Sequence, residues 1–409
     1  MELVPILSAL RRNWTGPFLV IVQIALTLAI VSNVVSVIVD RTTLITRPTG
    51  TVEHDIFAIG FIFTKKVQTK SMQDAELHNV RAIPNVVDAV AANTYPLRGG
   101  GWADGVSNNP GITNYGEQNA QAAVYAMDQH AINTLGLKLV EGRNFAPEEI
   151  IPGQFNAPPI PDVAIISRSL KQQLFPHGSA LGKVIYVASE PRKPVTIIGV
   201  VDRLQSPEAA GTIDERAANN SIILPISAAG GRELFIVRVK PGSIDTTMHD
   251  VLGTLIRANP DRIFGRLRPF TEIRSTAYQK DRSIAIALGV LCTILVVITA
   301  LGIVGLTSLW VVRRKGQIGI RRALGATRPA VVGYFLTENA LLCFCGAALG
   351  AIASEGLNLW LRSHYGIEPI RTAELLLCAL AIMLLGQISA VRPALLAAHV
   401  PPSEALRSI

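Results

Sequence analysis

The sequence predicts an α-helical membrane protein with four transmembrane helices and a large α+β extracytoplasmic domain inserted between the first and the second. Three observations support this class. Hydrophobic residues make up 49% of the 409 residues and charged residues only 17%, whereas soluble domains carry about 25% charged residues. Uncharged apolar runs long enough to cross a bilayer lie near the N-terminus and in the C-terminal third. A long segment of ordinary soluble composition separates them.

The first predicted span covers residues 17–39, which contain no charged side chain. Its length is sufficient for a hydrocarbon core of about 30 Å. A secretory signal peptide has an apolar region of only about 7–15 residues followed by small residues at its cleavage site. This run is longer and ends in Val37-Ile38-Val39, so we predict a retained transmembrane helix.

The remaining three spans are predicted in the C-terminal third. The second covers residues 283–312 and would form a helix of about 45 Å, so we expect it to tilt or to extend beyond the bilayer as a stalk. The third and fourth cover residues 329–361 and 375–391, joined by a short outer link, 362–374. Several basic residues lie on one side of this topology, and the positive-inside rule makes that side cytoplasmic. They are Arg11, Arg12, Arg313, Arg314, Lys315, Arg321, Arg322, Arg328, Arg392 and Arg407.

The segment 40–282 then lies outside the cytoplasm. It contains 26 basic and 24 acidic residues, so most of the net charge of +8 lies elsewhere and no nucleic-acid partner is needed to explain it. Short β-branched runs predict strands and intervening stretches predict helices. The Gly- and Asn-rich stretch 93–119 predicts loops and turns. The expected strands are 163–167, 183–188, 195–202 and 234–240, and the expected helices are 71–82, 128–135, 168–174 and 246–258.

No motif in the sequence indicates catalysis or a resident cofactor. The nearest approach to a nucleotide-binding loop is Gly178 to Val184, in which the glycine spacing is one residue short and Val184 replaces the magnesium-binding Ser or Thr. The seven histidines lack metal-ligand spacing. All four cysteines lie in the predicted spans, where we interpret them as small packing residues. We therefore expect no catalytic, cofactor or metal site here and an energy source in another subunit.

Two acidic residues, Glu338 and Glu355, lie within the third predicted span. Charged side chains at membrane depth are costly and often functional, so a proton relay is one interpretation. Glu338 lies near the cytoplasmic end and Glu355 near the opposite end. An interfacial position or an interhelical hydrogen bond is the favoured interpretation for both.

The cytoplasmic segments are amphipathic. In the link 313–328, Ile320, Ala323 and Leu324 fall at positions i, i+3 and i+4, which predicts a short helix with Arg321 and Arg322 on its other face. A force-transmitting helix that contacts a partner and a basic anchor on lipid headgroups both fit this pattern. Residues 1–16 predict an amphipathic helix or a solvated lead-in. The tail 392–409 contains Ser403, a candidate cap for a final short helix.

The sequence resembles the MacB/FtsX-type ABC transporter permeases over nearly its whole length. The link and third span, KGQIGIRRALGATRPAVVGYFLTENALL, resemble the family's REIGIRRALGA…FL.E hallmark, with Gly316-Gln317 where the family usually has Arg-Glu. The segments LGLKLVEGRNF, VAIISRSLKQQLF, ALGKVI and IIGVVDR are similar to the MacB-type periplasmic core. The C-terminal segment is similar to the family's PxEALR ending.

The resemblance implies a bacterial inner-membrane protein whose periplasmic domain has porter-like and sabre-like parts. It implies a permease dimer working with two ATPase subunits, which bind ATP and Mg²⁺ and here are separate chains. Whether the second permease is an identical copy or a paralogue stays open, as does a role for a periplasmic adaptor and an outer-membrane duct. By match to the family motif, the ATPase contact would be formed by Gln317, Ile318, Gly319, Ile320, Arg321, Arg322, Ala323, Leu324 and Gly325.

The function that this resemblance implies is mechanotransmission, in which ATP hydrolysis in the partner drives the periplasmic domain and exports periplasmic cargo. Two alternatives remain within the family. One is lipoprotein extraction of the Lol type, and the other is FtsX-like signalling across the membrane without transport. The cargo is not readable from the sequence.

Overall fold

A computed structural model of the chain describes residues 15–64, 69–110, 120–153, 159–187, 193–208, 217–229, 232–323, 325–366 and 368–399. The chain forms two compact units. The helical unit comprises Met1–Ile45 with Asp281–Ile409, and the α/β unit comprises Thr46–Lys280. Four helices of the described residues are long and apolar enough to cross a membrane. The predicted fold class, four such helices with an α+β domain between the first and second, is confirmed.

The helices, in chain order, are α1 Thr15–Thr46, α2 Lys70–Arg81, α3 Ala131–Leu135, α4 Arg168–Leu174, α5 Ile244–Ala258, α6 Phe270–Ala277, α7 Gln279–Arg313, α8 Lys315–Ala323, α9 Arg328–Tyr365 and α10 Thr372–Ala398. The strands are β1 Ile56–Phe63, β2 Val86–Ala91, β3 Trp102–Ser107, β4 Ala120–Met127, β5 Leu139–Gly142, β6 Ile151–Gly153, β7 Val163–Ser167, β8 Val184–Val187, β9 Pro194–Val201, β10 Ser221–Ala228, β11 Arg232–Val239, β12 Arg262–Phe264 and β13 Arg268–Pro269.

The helical unit is held together by an apolar core to which all four long helices contribute. Its buried members are Val20, Ile24, Leu28, Ile303, Leu342, Cys343, Ala347 and Ile382. Lipid tails are as apolar as these side chains, so close packing and interhelical hydrogen bonds must supply the association. Thr27 of α1 and Thr299 of α7 share a 2.7 Å hydrogen bond. Asn339 of α9 donates to the Gly386 carbonyl of α10 at 3.0 Å.

Helix α1 extends beyond the predicted span of residues 17–39 and ends at Thr46. The charged pair Asp40-Arg41 does not end the helix, because Arg41 Nη1 donates to Asp281 Oδ1 of α7 at 2.7 Å. At its other end α1 already includes residues 15 and 16, which we had assigned to the N-terminal amphipathic helix. The rest of that predicted helix, residues 1–14, lies outside the described residues.

The last helix also passes its predicted end at residue 391. Helix α10 continues to Ala398 with Pro393 inside it, so residues 392–398 are not part of a free tail. Proline removes one backbone hydrogen bond from a helix interior, but Ala394, Ala397 and Ala398 are buried there and hold the turn. Helix α9 ends at Tyr365, followed by Gly366 in the left-handed conformation. Ser403 lies outside the described residues.

The first sheet of the α/β unit is antiparallel with strand order β12-β1-β11-β2, and β13 also pairs with β1. Helix α2 follows β1 and α5 follows β11, so the chain makes two β-α-β passes in the split βαβ, ferredoxin-like arrangement. Its apolar core includes Phe57, Phe61, Leu77, Phe235 and Leu255. Helices α2 and α5 therefore cover one face of the sheet.

The second sheet is inserted between β2 and β11 of the first. Its order is β4-β3-β8-β9-β7-β10-β6, and β4 also pairs with β10. This additional pairing closes six strands into a ring, with β5 added beside β9 and β6 beside β10. A separate core of buried aliphatic side chains, including Val124, Ile166, Ile197 and Ile222, fills this small barrel.

The stretch 93–119 was expected to form only loops and turns, but it contains a strand. Residues 102–107 within it form β3, which pairs with β4 and β8. Aspartate and glycine, which occupy positions 104 and 105, are disfavoured in strands, but Trp102 pairs with Val124 of β4 and Val106 with Val187 of β8. The expected helix 128–135 begins only at Ala131, because Asp128 instead accepts a hydrogen bond from the His130 amide in a turn.

A polar cluster joins the ferredoxin-like part to the barrel. Asp88 of β2 accepts hydrogen bonds from His130 Nδ1 at 2.9 Å and from Asn133 Nδ2 at 2.8 Å. His130 immediately precedes α3, and Asn133 lies within it. Burial opposes ionisation of Asp88, but these bonds and the Ala89 amide outweigh it and lower the pKa of this carboxyl. Desolvation by burial raises the pKa of Asp128, despite the opposing effects of His130 and Arg81.

Candidate coupling site

The link between the second and third long helices is itself helical. Helix α7 ends at Arg313 and α8 begins at Lys315. Arg314 stands between them, yet its amide donates to the Trp310 carbonyl and its carbonyl accepts from Ile318, each at 3.0 Å. Hydrogen bonding is therefore continuous through the change of helix. Gly325, with φ of 97°, adopts a conformation that favours glycine and lies before α9.

Ile318 anchors α8 to the helical unit. The residue is 5% exposed and lies in an apolar cluster with Val311 of α7, Val331 and Phe335 of α9, and the alanines at the end of α10. Complete burial of an isoleucine side chain contributes about 1.5–3 kcal/mol. The short helix is therefore packed against three long helices.

An ion pair provides a second anchor. Arg314 Nη1 lies 3.0 Å and 2.9 Å from the two carboxylate oxygens of Glu338 on α9. The exposed fraction of the side chain is 19% for Arg314 and 2% for Glu338. The pair fixes the end of α7 to α9 at the point where α8 begins. Glu338 thus makes an interhelical bond, one of the two favoured interpretations, to a residue at the end of α7.

The structure distinguishes the packed face of α8 from its exposed face, which the sequence pattern left open between a partner contact and a lipid anchor. Ile320 is 43% exposed and Ala323 is also exposed, whereas Ile318 and Gly319 are buried. Positions 318 and 320 are about 200° apart around a helix, so they cannot pack on the same side. The pattern identified an apolar face but could not show which face meets the bundle. In this chain Ile320 and Ala323 lie on the exposed side of α8.

The other predicted contact residues are placed as follows. Arg322 is half-buried and Gly325 is exposed. Gln317 and Arg321 belong to α8, but their side chains lie outside the described part of the chain, and Leu324 lies wholly outside it.

For Glu355 the structure shows no interhelical bond among the described residues, and the interfacial position stays a prediction. Its side chain is exposed, and no hydrogen bond or ion pair to it is found among the described residues. The neighbouring positions carry the contacts instead. Ser354 shares a 2.7 Å hydrogen bond with Ser32 of α1, and Asn358 donates to Asn33 Oδ1 at 3.3 Å. A shift of one residue turns Glu355 by about 100° away from α1.

Within the described residues no group of three or more His, Cys, Asp or Glu side chains is placed to hold a metal ion. The four cysteines are free thiols. The feature of the helical unit described above is a short helix that packs against its neighbours through Ile318 and is exposed at Ile320.

Two protein-family models match this chain. A family model described as the MacB-like periplasmic core domain matches residues 16–253, and one described as the FtsX-like permease C-terminal matches residues 289–402. The chain belongs to the MacB/FtsX-type family of ABC transporter permeases and is a membrane protein with a periplasmic domain. Neither matched family model is an ATPase domain. Permeases of this family work with ATPase partners.

Two curated proteins that are similar to this chain differ from each other in length. The macrolide export ATP-binding/permease protein MacB of Chromobacterium violaceum is 27% identical over 325 residues, which cover 76% of this chain and 47% of that protein. The chain thus matches about half of the length of this relative. The uncharacterized ABC transporter permease YknZ of Bacillus subtilis is 26% identical over 315 residues, 72% of each chain.

Similar solved structures are the periplasmic region of MacB from Actinobacillus actinomycetemcomitans and the extracellular domain of YknZ from Gram-positive bacteria. The first has a TM-score of 0.34 at 11% identity and covers 57% of this chain and 97% of that one. The second has a TM-score of 0.31 at 14% identity and covers 51% of this chain and all of that one.

Proposed function

We propose that this chain is the permease subunit of an ATP-driven transporter in the bacterial inner membrane, and that a separate ATPase subunit contacts the exposed face of α8. ATP-driven movement of that subunit displaces α8, and the long helices carry the displacement to the periplasmic domain. The result is export of periplasmic cargo by mechanotransmission. Two permeases and two ATPases form the assembly, with a periplasmic adaptor and an outer-membrane duct as further candidate partners.

The arrangement of α8 is the observation that supports this proposal. A lipid anchor would place its apolar side chains toward the bilayer and would not need a buried ion pair. Here Ile318 and the Arg314–Glu338 pair fix α8 to α7, α9 and α10. A force applied at Ile320 would therefore move three long helices and would not be absorbed by a flexible loop.

Co-purification from native membranes tests the proposal. Ile320→Asp places a charge on the exposed face of α8 and leaves the packed side chain of Ile318 unchanged. We expect an ABC ATPase to co-purify with the unmodified chain and to be lost from Ile320→Asp. The matched control is Ile263→Asp, the same substitution at an isoleucine of the α/β unit that is 65% exposed.

Two results would contradict the proposal. One is recovery of the unmodified chain without any ATPase, and the other is equal recovery of ATPase with both variants. Retention of the ATPase with a cell-wall hydrolase or lipoproteins as further partners would favour the signalling or the extraction alternative over export.

A further inference from the structure

Gln205 is a buried polar residue that contacts both chain segments leading to the long apolar helices. These segments, here called the feet, are residues 47–53 after α1 and residues 270–278 before α7. Gln205 lies after β9 in the barrel part of the α/β unit and is 0% exposed. A fully buried glutamine is unusual because its amide must find partners inside the protein.

The hydrogen bonds of Gln205 run in three directions. Its backbone amide donates to the Thr49 carbonyl of the first foot at 2.9 Å. Its side-chain Nε2 donates to the hydroxyl of Tyr278 in the second foot at 2.9 Å. Its own carbonyl accepts from the hydroxyl of Tyr125. Tyr125 lies on β4, the strand that closes the barrel ring, so Gln205 connects both feet to that strand.

The two feet are also bonded to each other. Arg274 of the second foot donates to the Glu53 carboxylate and to the Arg47 carbonyl of the first, each at 2.5 Å. Thr49 donates to the same Glu53 carboxylate at 2.5 Å. Tyr278 immediately precedes α7 and is 1% exposed, so a displacement of that helix moves its ring.

The side chain of Gln205 is only partly satisfied by hydrogen bonds. Its side-chain Oε1 is buried and has no hydrogen-bond partner among the described residues. An unsatisfied buried acceptor costs free energy. An apolar side chain would avoid that cost but would remove the bond to the buried Tyr278 hydroxyl. The bond from Nε2 to Tyr278 is therefore the side-chain contact that links Gln205 to the second foot.

We propose that Gln205 and Tyr278 are positioning residues that transmit movement of the feet into the barrel. The inference rests on the proposed function, since it needs an ATP-driven displacement to transmit. Hydrogen bonds suit this role because they are directional, and these three are shielded from water. Without the Gln205–Tyr278 bond the feet would still move, but the barrel would follow less completely.

Hydrogen–deuterium exchange on the full chain in lipid nanodiscs, together with its co-purifying ATPase, tests the proposal. Exchange is compared with and without a non-hydrolysable ATP analogue. In the unmodified chain we expect the nucleotide to change exchange in the feet, in residues 204–206 and in β4. Tyr278→Phe removes only the hydroxyl. We expect the change in the feet to persist and the change in the barrel to fall about two- to tenfold, the range that one net hydrogen bond gives.

Two further variants complete the design. Gln205→Met keeps the side-chain length without the amide, and should give the same pattern as Tyr278→Phe. Tyr186→Phe is the matched control, because it removes a hydroxyl from β8 that takes no part in these bonds. A cooperative thermal transition in each variant, with a melting temperature lowered by no more than the loss of one hydrogen bond allows, shows that the fold is retained.

The outcomes separate the two proposals. If the nucleotide changes exchange nowhere in the α/β unit of the unmodified chain, the proposed function fails. If the barrel of Tyr278→Phe and Gln205→Met responds as fully as that of Tyr186→Phe, the transmission role of Gln205 and Tyr278 is wrong while the proposed function stands.

Discussion

Replacing Glu338 with glutamine removes the charge that faces Arg314 and keeps the size of the side chain. Two unit charges about 4 Å apart interact by about 4 kcal/mol at an effective dielectric constant of about 20. The side chain of Glu338 is 2% exposed and that of Arg314 is 19% exposed, so water screens mainly the arginine. The glutamine carbonyl can still accept one hydrogen bond. We expect a loss of about 2–3 kcal/mol, below the full range for breaking a buried ion pair.

A double-mutant cycle measures this pair separately from other contacts of either residue. Glu338→Gln, Arg314→Gln and the double variant are unfolded reversibly in mixed detergent micelles. If the two side chains act as a pair, the double variant loses little more than either single variant. The interaction energy should then be about 1–3 kcal/mol.

The same variants test the role of the pair in coupling. We expect Glu338→Gln to retain the ATPase on purification, because Ile318 still holds α8 against the long helices. Single-variant effects that add within about 0.5 kcal/mol would refute the reasoning, since they would show that Arg314 and Glu338 contribute independently.

Two further predictions concern packing and pH. Gly350→Ala would place a Cβ atom 2.9 Å from the Ala25 carbonyl oxygen, so we expect the free energy of unfolding to fall by about 1–3 kcal/mol. The control Gly356→Ala, whose Cβ would have nothing within 4 Å, should be neutral or stabilising. Equal effects of the two variants would contradict the close approach of α1 and α9. Asp88→Asn should destabilise the chain by about 1–3 kcal/mol at neutral pH by weakening bonds from His130 and Asn133. The folded-state pKa of Asp88 is lowered, so the stability that its carboxylate contributes is present above the unfolded pKa of about 3.9 and is lost as pH falls through the folded pKa. Denaturant titrations measure the difference in unfolding free energy between the unmodified chain and Asp88→Asn. A difference that stays constant from pH 7 to pH 3 would contradict this prediction.

The long helices were predictable because membrane spans are defined by length and absence of charge, which are local properties of the sequence. Their ends were less predictable. Asp40 and Arg41 look like the end of a span, but Arg41 finds Asp281, some 240 positions away, and α1 continues to Thr46. Only the folded arrangement brings these two side chains together.

The site was predictable in position but not in orientation. The pattern of the link indicated a short amphipathic helix, and α8 occupies Lys315–Ala323. Which side of α8 packs depends on where α9 and α10 lie, and that information is not contained in nine residues. Strand β3 was missed for a related reason, since its pairing with β4 and β8 outweighs the weak strand propensity of its residues.

The contact between α8 and an ATPase is the central claim, and site-specific photocrosslinking at position 320 measures it most directly. The side chain of Ile320 is replaced by p-benzoylphenylalanine in the full chain, and the cells are irradiated before membranes are isolated. The proposed function predicts a covalent adduct to an ABC ATPase polypeptide, absent when the probe is placed at Ile263. An adduct to lipid alone, or none to an ATPase, would contradict it.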